Sequence, residues 1–330
     1  MKVFVPKRHL LHSPEKEYSN GIYRSYREPP DRIEKIIHTL RNNENFSIVE
    51  FDGSEDLIKN NVHENRMIQL FKDINVKNYI IPDTFNIKRK SKEPIKHEVM
   101  LGSYLFDTVT PFGPETYNVL ENSLYTIKQS IKYIRRNKKN TYLAIRPPGH
   151  HAGYDFFGGN CYINNAAIAS SFLKKYGKVA ILDIDYHHGN GTQDIFYYTN
   201  TLCISIHADP AYEFPYFWGY EDETGEGEGH GFNYNIHLQK NSGKKEYLFK
   251  LKNALEIISS YSPTFLVLSL GLNIYKDDPT GSFNIDRDGL NEIGILINIL
   301  NIPTLIVQEG GYNINDIGKN AEAILEPFNE

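Results

Sequence analysis

Histidine, aspartate and asparagine crowd three short stretches of this 330-residue chain. They read Ile145-Arg-Pro-Pro-Gly-His150-His151-Ala-Gly, then Gly158-Gly-Asn-Cys-Tyr-Ile-Asn-Asn, then Asp183-Ile-Asp185-Tyr-His187-His188-Gly-Asn190-Gly. Each follows or ends an apolar run and is cut off by glycine. Burying histidine and aspartate is costly unless they are paired or bind a metal, so this concentration predicts a metal-assisted active site. Side chains alternate along an extended chain, which puts Asp185 and His187 on the same side. A carboxylate oxygen with an imidazole nitrogen suits Zn²⁺, which in catalytic sites takes three protein ligands and a water. Asp183 shares that side and is placed to orient a histidine or to hold a second cation. His12, His38, His63 and His230 have no such company and read as surface or packing residues.

These groups need a scaffold. Short apolar runs alternate with amphipathic segments, the pattern of a parallel sheet covered by helices. Strands are expected at Lys2–Val5, Ser47–Phe51, Thr141–Arg146, Val179–Asp185, Leu202–His207, Phe265–Leu270 and Thr304–Gln308. Helices fall between them. Pro29-Pro30-Asp31 opens one, with proline and an acidic residue suited to a first turn. Leu120, Leu124, Ile127, Ile131 and Ile134 form the stripe of a helix packed on one face. Ligands of an open parallel sheet bind beyond the carboxyl ends of its strands. Four such ends carry polar clusters: His150-His151, Asp183 to His187, Gly271-Leu-Asn273 and Glu309-Gly-Gly-Tyr312. The expected architecture is therefore one α/β domain over 1–330, with a central, mostly parallel sheet of about eight strands covered by helices on both faces. One long excursion interrupts it, from Pro82 to Pro114, carrying the run Lys88-Arg-Lys-Ser-Lys-Glu-Pro94. A loop of that length in a compact domain is a functional feature or a disordered one.

Composition excludes some classes. The net charge of −5 and pI near 6.2 argue against nucleic acid as an obligate partner, since phosphate binding needs a basic surface. Cys161 and Cys203, the two cysteines, sit in apolar or glycine-rich surroundings and read as buried reduced thiols. The N-terminus lacks an apolar leader and no stretch approaches a membrane span, so a cytoplasmic protein is expected.

The motifs resemble the arginase–deacetylase superfamily, and within it the bacterial acetylpolyamine amidohydrolases, relatives of histone deacetylases. The likeness runs from about Arg146 to Tyr312. It is carried by Arg-Pro-Pro-Gly-His-His-Ala-Gly, Phe-Gly-Gly-Asn-Cys-Tyr-Ile-Asn-Asn, Asp-Ile-Asp-Tyr-His-His-Gly-Asn-Gly-Thr-Gln-Asp, Gly-Tyr-Glu-Asp-Glu-Thr-Gly and Glu-Gly-Gly-Tyr. The resemblance implies an arginase–deacetylase fold and zinc-dependent hydrolysis of an acetylated amine, with Fe²⁺ as an alternative metal. Asp185 and His187 would be metal ligands. His150 and His151 would handle protons, with His151 the general base, and Tyr312 would stabilise the oxyanion. Asp183 would partner His150 and, with Ser205, hold a structural K⁺ or Na⁺; Asn190 would partner His151. Such an assignment agrees with what amide hydrolysis requires: an acidified water, a proton carrier and a donor for the tetrahedral intermediate.

One departure stands out. The family's third zinc ligand is an aspartate after Ser-Leu-Gly-x, and this chain has Ser269-Leu-Gly-Leu-Asn273. Asn273 offers one neutral carbonyl oxygen as the third metal ligand, which predicts a harmless replacement, or weaker zinc binding and reduced activity, or a catalytically impaired binding protein. For the substrate, the resemblance implies an acetylated polyamine or similar acylated aliphatic amine in an aromatic tunnel. Phe214, Asn160 (or Tyr162), Gly159 and Gly310 are its substrate-binding candidates. The 82–114 excursion resembles an insertion that narrows the entrance and builds a homodimer, with Glu98 meeting the distal ammonium. A protein-lysine deacetylase is the competing enzyme reading. A two-manganese ureohydrolase is not favoured, because its further aspartates are missing around Asn273 and Tyr275.

Overall fold

The structure is a computed structural model that describes residues 1–86, 92 and 94–329. Its strands are β1 (Lys2–Pro6), β2 (Lys16–Ser19), β3 (Ile22–Ser25), β4 (Ser47–Phe51), β5 (Thr141–Leu143), β6 (Val179–Asp183), β7 (Leu202–Ala208), β8 (Asn233–Leu238), β9 (Phe265–Leu270) and β10 (Thr304–Gln308). Eight of them form one sheet in the order β4-β1-β5-β10-β9-β6-β7-β8, and β2 and β3 make a separate hairpin. Every pairing in the large sheet is parallel. Parallel sheets are covered on both faces, which is why the central strands are apolar without interruption. In β1, Val3 and Val5 enter a core shared with helices Asp31–Arg41, Lys244–Tyr261, Arg287–Asn298 and Ile317–Leu325, together with Ile306 of β10. The intervening Phe4 enters the opposite core with Leu305, Val307 and helices Asn65–Asp73, Thr116–Asn137 and Asn165–Leu173. The stripe Leu120, Leu124, Ile127, Ile131 and Ile134 is buried in that second layer. This is the single α/β domain the sequence predicts.

Three expectations need correcting. Strands β5 and β6 stop at Leu143 and Asp183, short of Arg146 and Asp185. Side chains take over the backbone there: the Asp183 carboxylate accepts from the Asp185 N–H at 3.0 Å, and Asp185 accepts from the His187 N–H at 2.9 Å. The edge strand β8 was not expected, because its sequence Asn-Tyr-Asn-Ile-His-Leu alternates polar and apolar residues without a strong apolar run. The β2–β3 hairpin was also missed, although Asn20-Gly21 between short runs is a two-residue turn signature. Both turn residues have positive φ, 52° and 81°, as such a turn requires.

The excursion after Pro82 is tied at its base, where Ile80 and Phe112 exchange backbone hydrogen bonds of 2.8 Å. It contains a short helix, His97–Met100. Of the basic run, residues Lys88 to Ser91 and Glu93 lie outside the described residues. Cys161 and Cys203 are free and buried. Among the described residues no helix is long and apolar enough to cross a membrane.

Candidate active site

The exits of β5, β6, β9 and β10 meet at one point, and glycine makes the meeting possible. A Cβ on Gly271 would lie 2.3 Å from Asp185 Oδ2, and one on Gly310 would lie 2.5 Å from the same oxygen and 2.6 Å from Asn273 Nδ2. Only glycine lets the β9 and β10 exits close on Asp185 from both sides. Gly310 in return donates its N–H to Asp185 Oδ2 at 2.8 Å. It therefore braces the carboxylate from behind and does not line the cavity.

Above this floor opens a cavity of about 540 Å³. His151, His187, Gly159, Asn160, Phe214 and Tyr312 all line it. Phe214 meets His151 edge-on with ring centroids 4.9 Å apart, and Phe106 stacks on Phe214 at 5.9 Å, which gives the cavity an aromatic wall. Of the other aromatics in that loop, Tyr216 joins the lining, Trp218 stacks on Phe156, and Tyr212 and Phe217 are exposed. Tyr162 is fully buried against His12 and Pro111 and takes no part. Glu98 is exposed and off this cavity in the single chain.

The paired histidines stand 3.9 Å apart, ring to ring, with different partners. His150 Nδ1 bonds Asp183 Oδ2 at 3.0 Å, and its Nε2 lies 3.9 Å from Asp185 Oδ1. Burial disfavours its charged form, but the Asp183 and Asp185 carboxylates outweigh burial and raise its pKa to about 10. His151 Nδ1 bonds the neutral Asn190 carboxamide oxygen at 2.8 Å. Burial, reinforced by the charges of His150 and His187, pushes it well below the ordinary histidine value. One ring is thus held as imidazolium and its neighbour as neutral imidazole. Asp185 is opposed by burial too, yet His150 and the hydrogen bonds from His187 and Asn273 hold it well below the usual carboxylate range.

Tyr312 reaches the cavity from the β10 exit. The Arg32 guanidinium lies over its ring at 4.6 Å and donates from Nε to Gly311 O at 2.6 Å. Asp278 accepts from the backbone N–H groups of Tyr312 and Asn313. Arg32 and Arg146 share the buried carboxylate of Glu28. Glu309 Oε2 accepts from Gly149 N–H at 2.7 Å and His150 N–H at 3.2 Å, fixing the histidine turn; burial raises it to about 7. His150, Cys161 and Glu309 also bring one donor atom each within 4.8 Å of one another behind the histidines. Sequence reasoning missed Arg32, Glu28, Asp278 and Glu309 as supports. Glu309 alone carried a sign, being charged at an apolar strand's end. Arg32 and Glu28 lie far away in sequence.

Ser205 neighbours Asp183 across the β6–β7 ladder and bonds His207 Nδ1 at 2.8 Å. Both line a small interior cavity beside His188, which packs on His207 at 4.6 Å and stays off the main cavity. His38 and His230 are exposed, and His12 and His63 are buried packing residues.

Whether the floor suits a divalent cation turns on Asn273. Asp185 Oδ1 and His187 Nδ1 are 3.5 Å apart, close to the roughly 3.3 Å expected of two ligands on one tetrahedral zinc. Asn273 adds no third oxygen. Its Oδ1 accepts from the Tyr186 N–H at 3.0 Å, which turns Nδ2 inward to donate to Asp185 Oδ1 at 2.7 Å and to lie 3.4 Å from His187 Nδ1. An amide nitrogen has no lone pair for a metal. Two of the three positions fit such an ion, and the third, as folded, does not.

A doubly covered parallel sheet whose strand exits carry two differently charged histidines, an Asp–His pair and a tyrosine defines an α/β protein of hydrolase type. The chain belongs to the histone deacetylase family, within the arginase–deacetylase superfamily: the histone deacetylase domain matches residues 26–328. The likeness therefore reaches well beyond the motif-bearing span. Acetylpolyamine amidohydrolase 1 of Pseudomonas aeruginosa is 41% identical over 255 residues, covering 76% of this chain and 74% of its own. The acetylpolyamine amidohydrolase of Mycoplana ramosa is 33% identical and covers 99% of both chains. Among solved structures, acetylpolyamine aminohydrolase from Burkholderia pseudomallei superposes with a TM-score of 0.92 at 32% identity, covering 99% of this chain and 98% of that one.

Proposed function

We propose that this protein is an amidohydrolase that removes acetyl groups from acylated aliphatic amines of the acetylpolyamine kind. The observation that carries the reading is the pair His150–Asp183 and His151–Asn190 beneath an aromatic cavity that Tyr312 also lines. With Nδ1 bonded to a carboxamide oxygen, His151 keeps its proton on Nδ1 and presents a basic Nε2 to take a proton from water. His150, held as imidazolium by Asp183, supplies positive charge beside the developing tetrahedral centre. Tyr312, steadied by Arg32, donates its hydroxyl to the oxyanion. Phe214 and Phe106 exclude water from the acyl chain. Zinc or ferrous iron would be held by Asp185 and His187 and, on turning its carboxamide, by Asn273; such an ion acidifies water and polarises the amide carbonyl. Asp183 and Ser205 would hold K⁺ or Na⁺. The relatives' names support the substrate class.

A second reading, a catalytically impaired protein that binds acylated amines, is favoured by the inward amide of Asn273. Acetate release from N-acetylputrescine and N-acetylcadaverine, measured with and without added zinc, decides between them. Zinc-stimulated release supports the enzyme; tight binding without release supports the binder; neither would remove both. We also infer a homodimer joined through the excursion, which exposes Ile95 and Val99 to solvent. A role for Glu98 at a cavity mouth depends on that second copy.

A further inference from the structure

The mouth of the cavity carries both signs of charge, on separate segments. The β2–β3 hairpin brings Arg24 and Arg27 to it. A single carboxylate, Glu17, lies beneath them and is 1% exposed. Glu17 accepts from Arg24 Nε at 2.8 Å and from the Arg27 backbone N–H at 3.1 Å, and sits 3.5 Å from Arg27 Nε. It holds the Arg24 guanidinium by its Nε edge and Arg27 by its backbone N–H, with the Arg27 guanidinium at ion-pair distance, while offsetting only one of the two charges. Their terminal nitrogens have no acceptor among the described residues, and the two side chains stay 27% and 43% exposed. The hairpin is fastened to the cavity wall, with Tyr18 and Thr108 exchanging hydrogen bonds of 3.3 and 2.8 Å. A guanidinium fork with free terminal N–H groups on a fixed support matches a carboxylate.

Glu213 enters the same cavity beside the Tyr186 hydroxyl and forms no ion pair among the described residues. Asp107 also lines the mouth, but its oxygens are spent on the N–H groups of Gly159 and Val109 and on the Thr110 hydroxyl. Glu213 is therefore the carboxylate left to receive a ligand's cation.

We propose that the mouth recognises a zwitterionic end, so that the preferred substrate is an ω-N-acylated α-amino acid such as free Nε-acyl-lysine. Its carboxylate meets Arg24 and Arg27, and its α-ammonium meets Glu213. This rests on the acyl-amine reading and narrows it. An acylated polyamine brings only positive charge to the arginines, and an acyl-lysine inside a peptide has neither α-charge.

Calorimetric titration of the full chain with four ligands of matched length tests the proposal: Nε-acetyl-lysine, 6-acetamidohexanoate, N-acetylcadaverine and N-pentylacetamide. Nε-acetyl-lysine should bind about tenfold or more tighter than N-acetylcadaverine, the scale of a charge-assisted contact. Arg24→Ala with Arg27→Ala should cost Nε-acetyl-lysine far more affinity than N-pentylacetamide. Glu213→Gln should bring Nε-acetyl-lysine down to 6-acetamidohexanoate. The wild-type ranking alone suffices if a variant fails to fold. N-acetylcadaverine binding as tightly as Nε-acetyl-lysine or tighter would overturn the zwitterion proposal and leave the acyl-amine reading standing. If none of the four binds, the acyl-amine reading falls, and this proposal with it.

Discussion

Asn273→Asp should change both the metal affinity and the metal-free stability of this protein, in opposite senses. In the wild type the Tyr186 N–H needs an acceptor, takes Asn273 Oδ1 at 3.0 Å, and thereby sends Nδ2 toward Asp185. Turning the carboxamide to face a cation would set its nitrogen against that buried N–H. Leaving a buried donor unpaired costs about 1–3 kcal/mol, which is roughly 5- to 150-fold in binding. Aspartate has no such conflict, because one oxygen can accept from Tyr186 while the other faces the ion. Removal of this penalty, before counting the added negative charge, predicts at least about tenfold tighter zinc binding. The metal-free variant should suffer. Asn273 Nδ2 now sits 2.7 Å from Asp185 Oδ1 as a hydrogen bond, and a second carboxylate in its place is a like-charge contact in a buried site. Zinc affinity is read by competition with a chromophoric chelator, and stability by melting with and without EDTA. Zinc should raise the melting temperature of the wild type less than that of the variant, which should melt lower than the wild type in EDTA and recover with zinc. Equal zinc affinities, with no metal dependence of melting in the variant, would mean that the Asn273 carboxamide places no penalty on the ion.

Other outcomes follow from the same geometry. In a background with measurable turnover, His151→Ala or Tyr312→Phe should lower the rate about a hundredfold or more while melting stays close to its parent; a collapse in melting would mark the residue as structural. Gly310→Ala drives a methyl to 2.5 Å from Asp185 Oδ2 and should cost about 1–3 kcal/mol in urea unfolding, and an unchanged midpoint would mean the exit has room to shift. Glu28→Gln leaves two buried guanidiniums short of a counter-charge and should destabilise by about 3–5 kcal/mol by the same measurement. Sedimentation should show a dimer that Ile95→Glu with Val99→Glu dissociates; a monomeric wild type would contradict the role inferred for the excursion.

Most of the scaffold could be read from the sequence because parallel strands buried on both faces have to be continuously apolar. Val179–Asp183 and Phe265–Leu270 announce themselves in that way. β8 does not, since an edge strand pairs through its backbone whatever its side chains, and Asn233 and Asn235 spend theirs on Gln193 and Glu223. The chemical floor was legible for a related reason: His150, His151, Asp185 and His187 are polar residues where apolar strands end. Their supports were not, because Arg32 and Glu28 act on Tyr312 and the Arg146 turn across more than a hundred residues of chain. The mouth was the least legible part. Arg24 and Arg27 look like ordinary surface residues until the hairpin folds over Glu17. Nor could sequence say which way the Asn273 carboxamide faces, since that is decided by one backbone N–H, at Tyr186.

The decisive measurement is acetate release from N-acetylcadaverine and Nε-acetyl-lysine by zinc-loaded Asn273→Asp beside the zinc-loaded wild type. Release should be at least about tenfold faster in the variant than in the wild type, and should be lost when His151→Ala is added. A variant that holds one equivalent of zinc, retains the fold and releases no acetate from either substrate would contradict an amidohydrolase function.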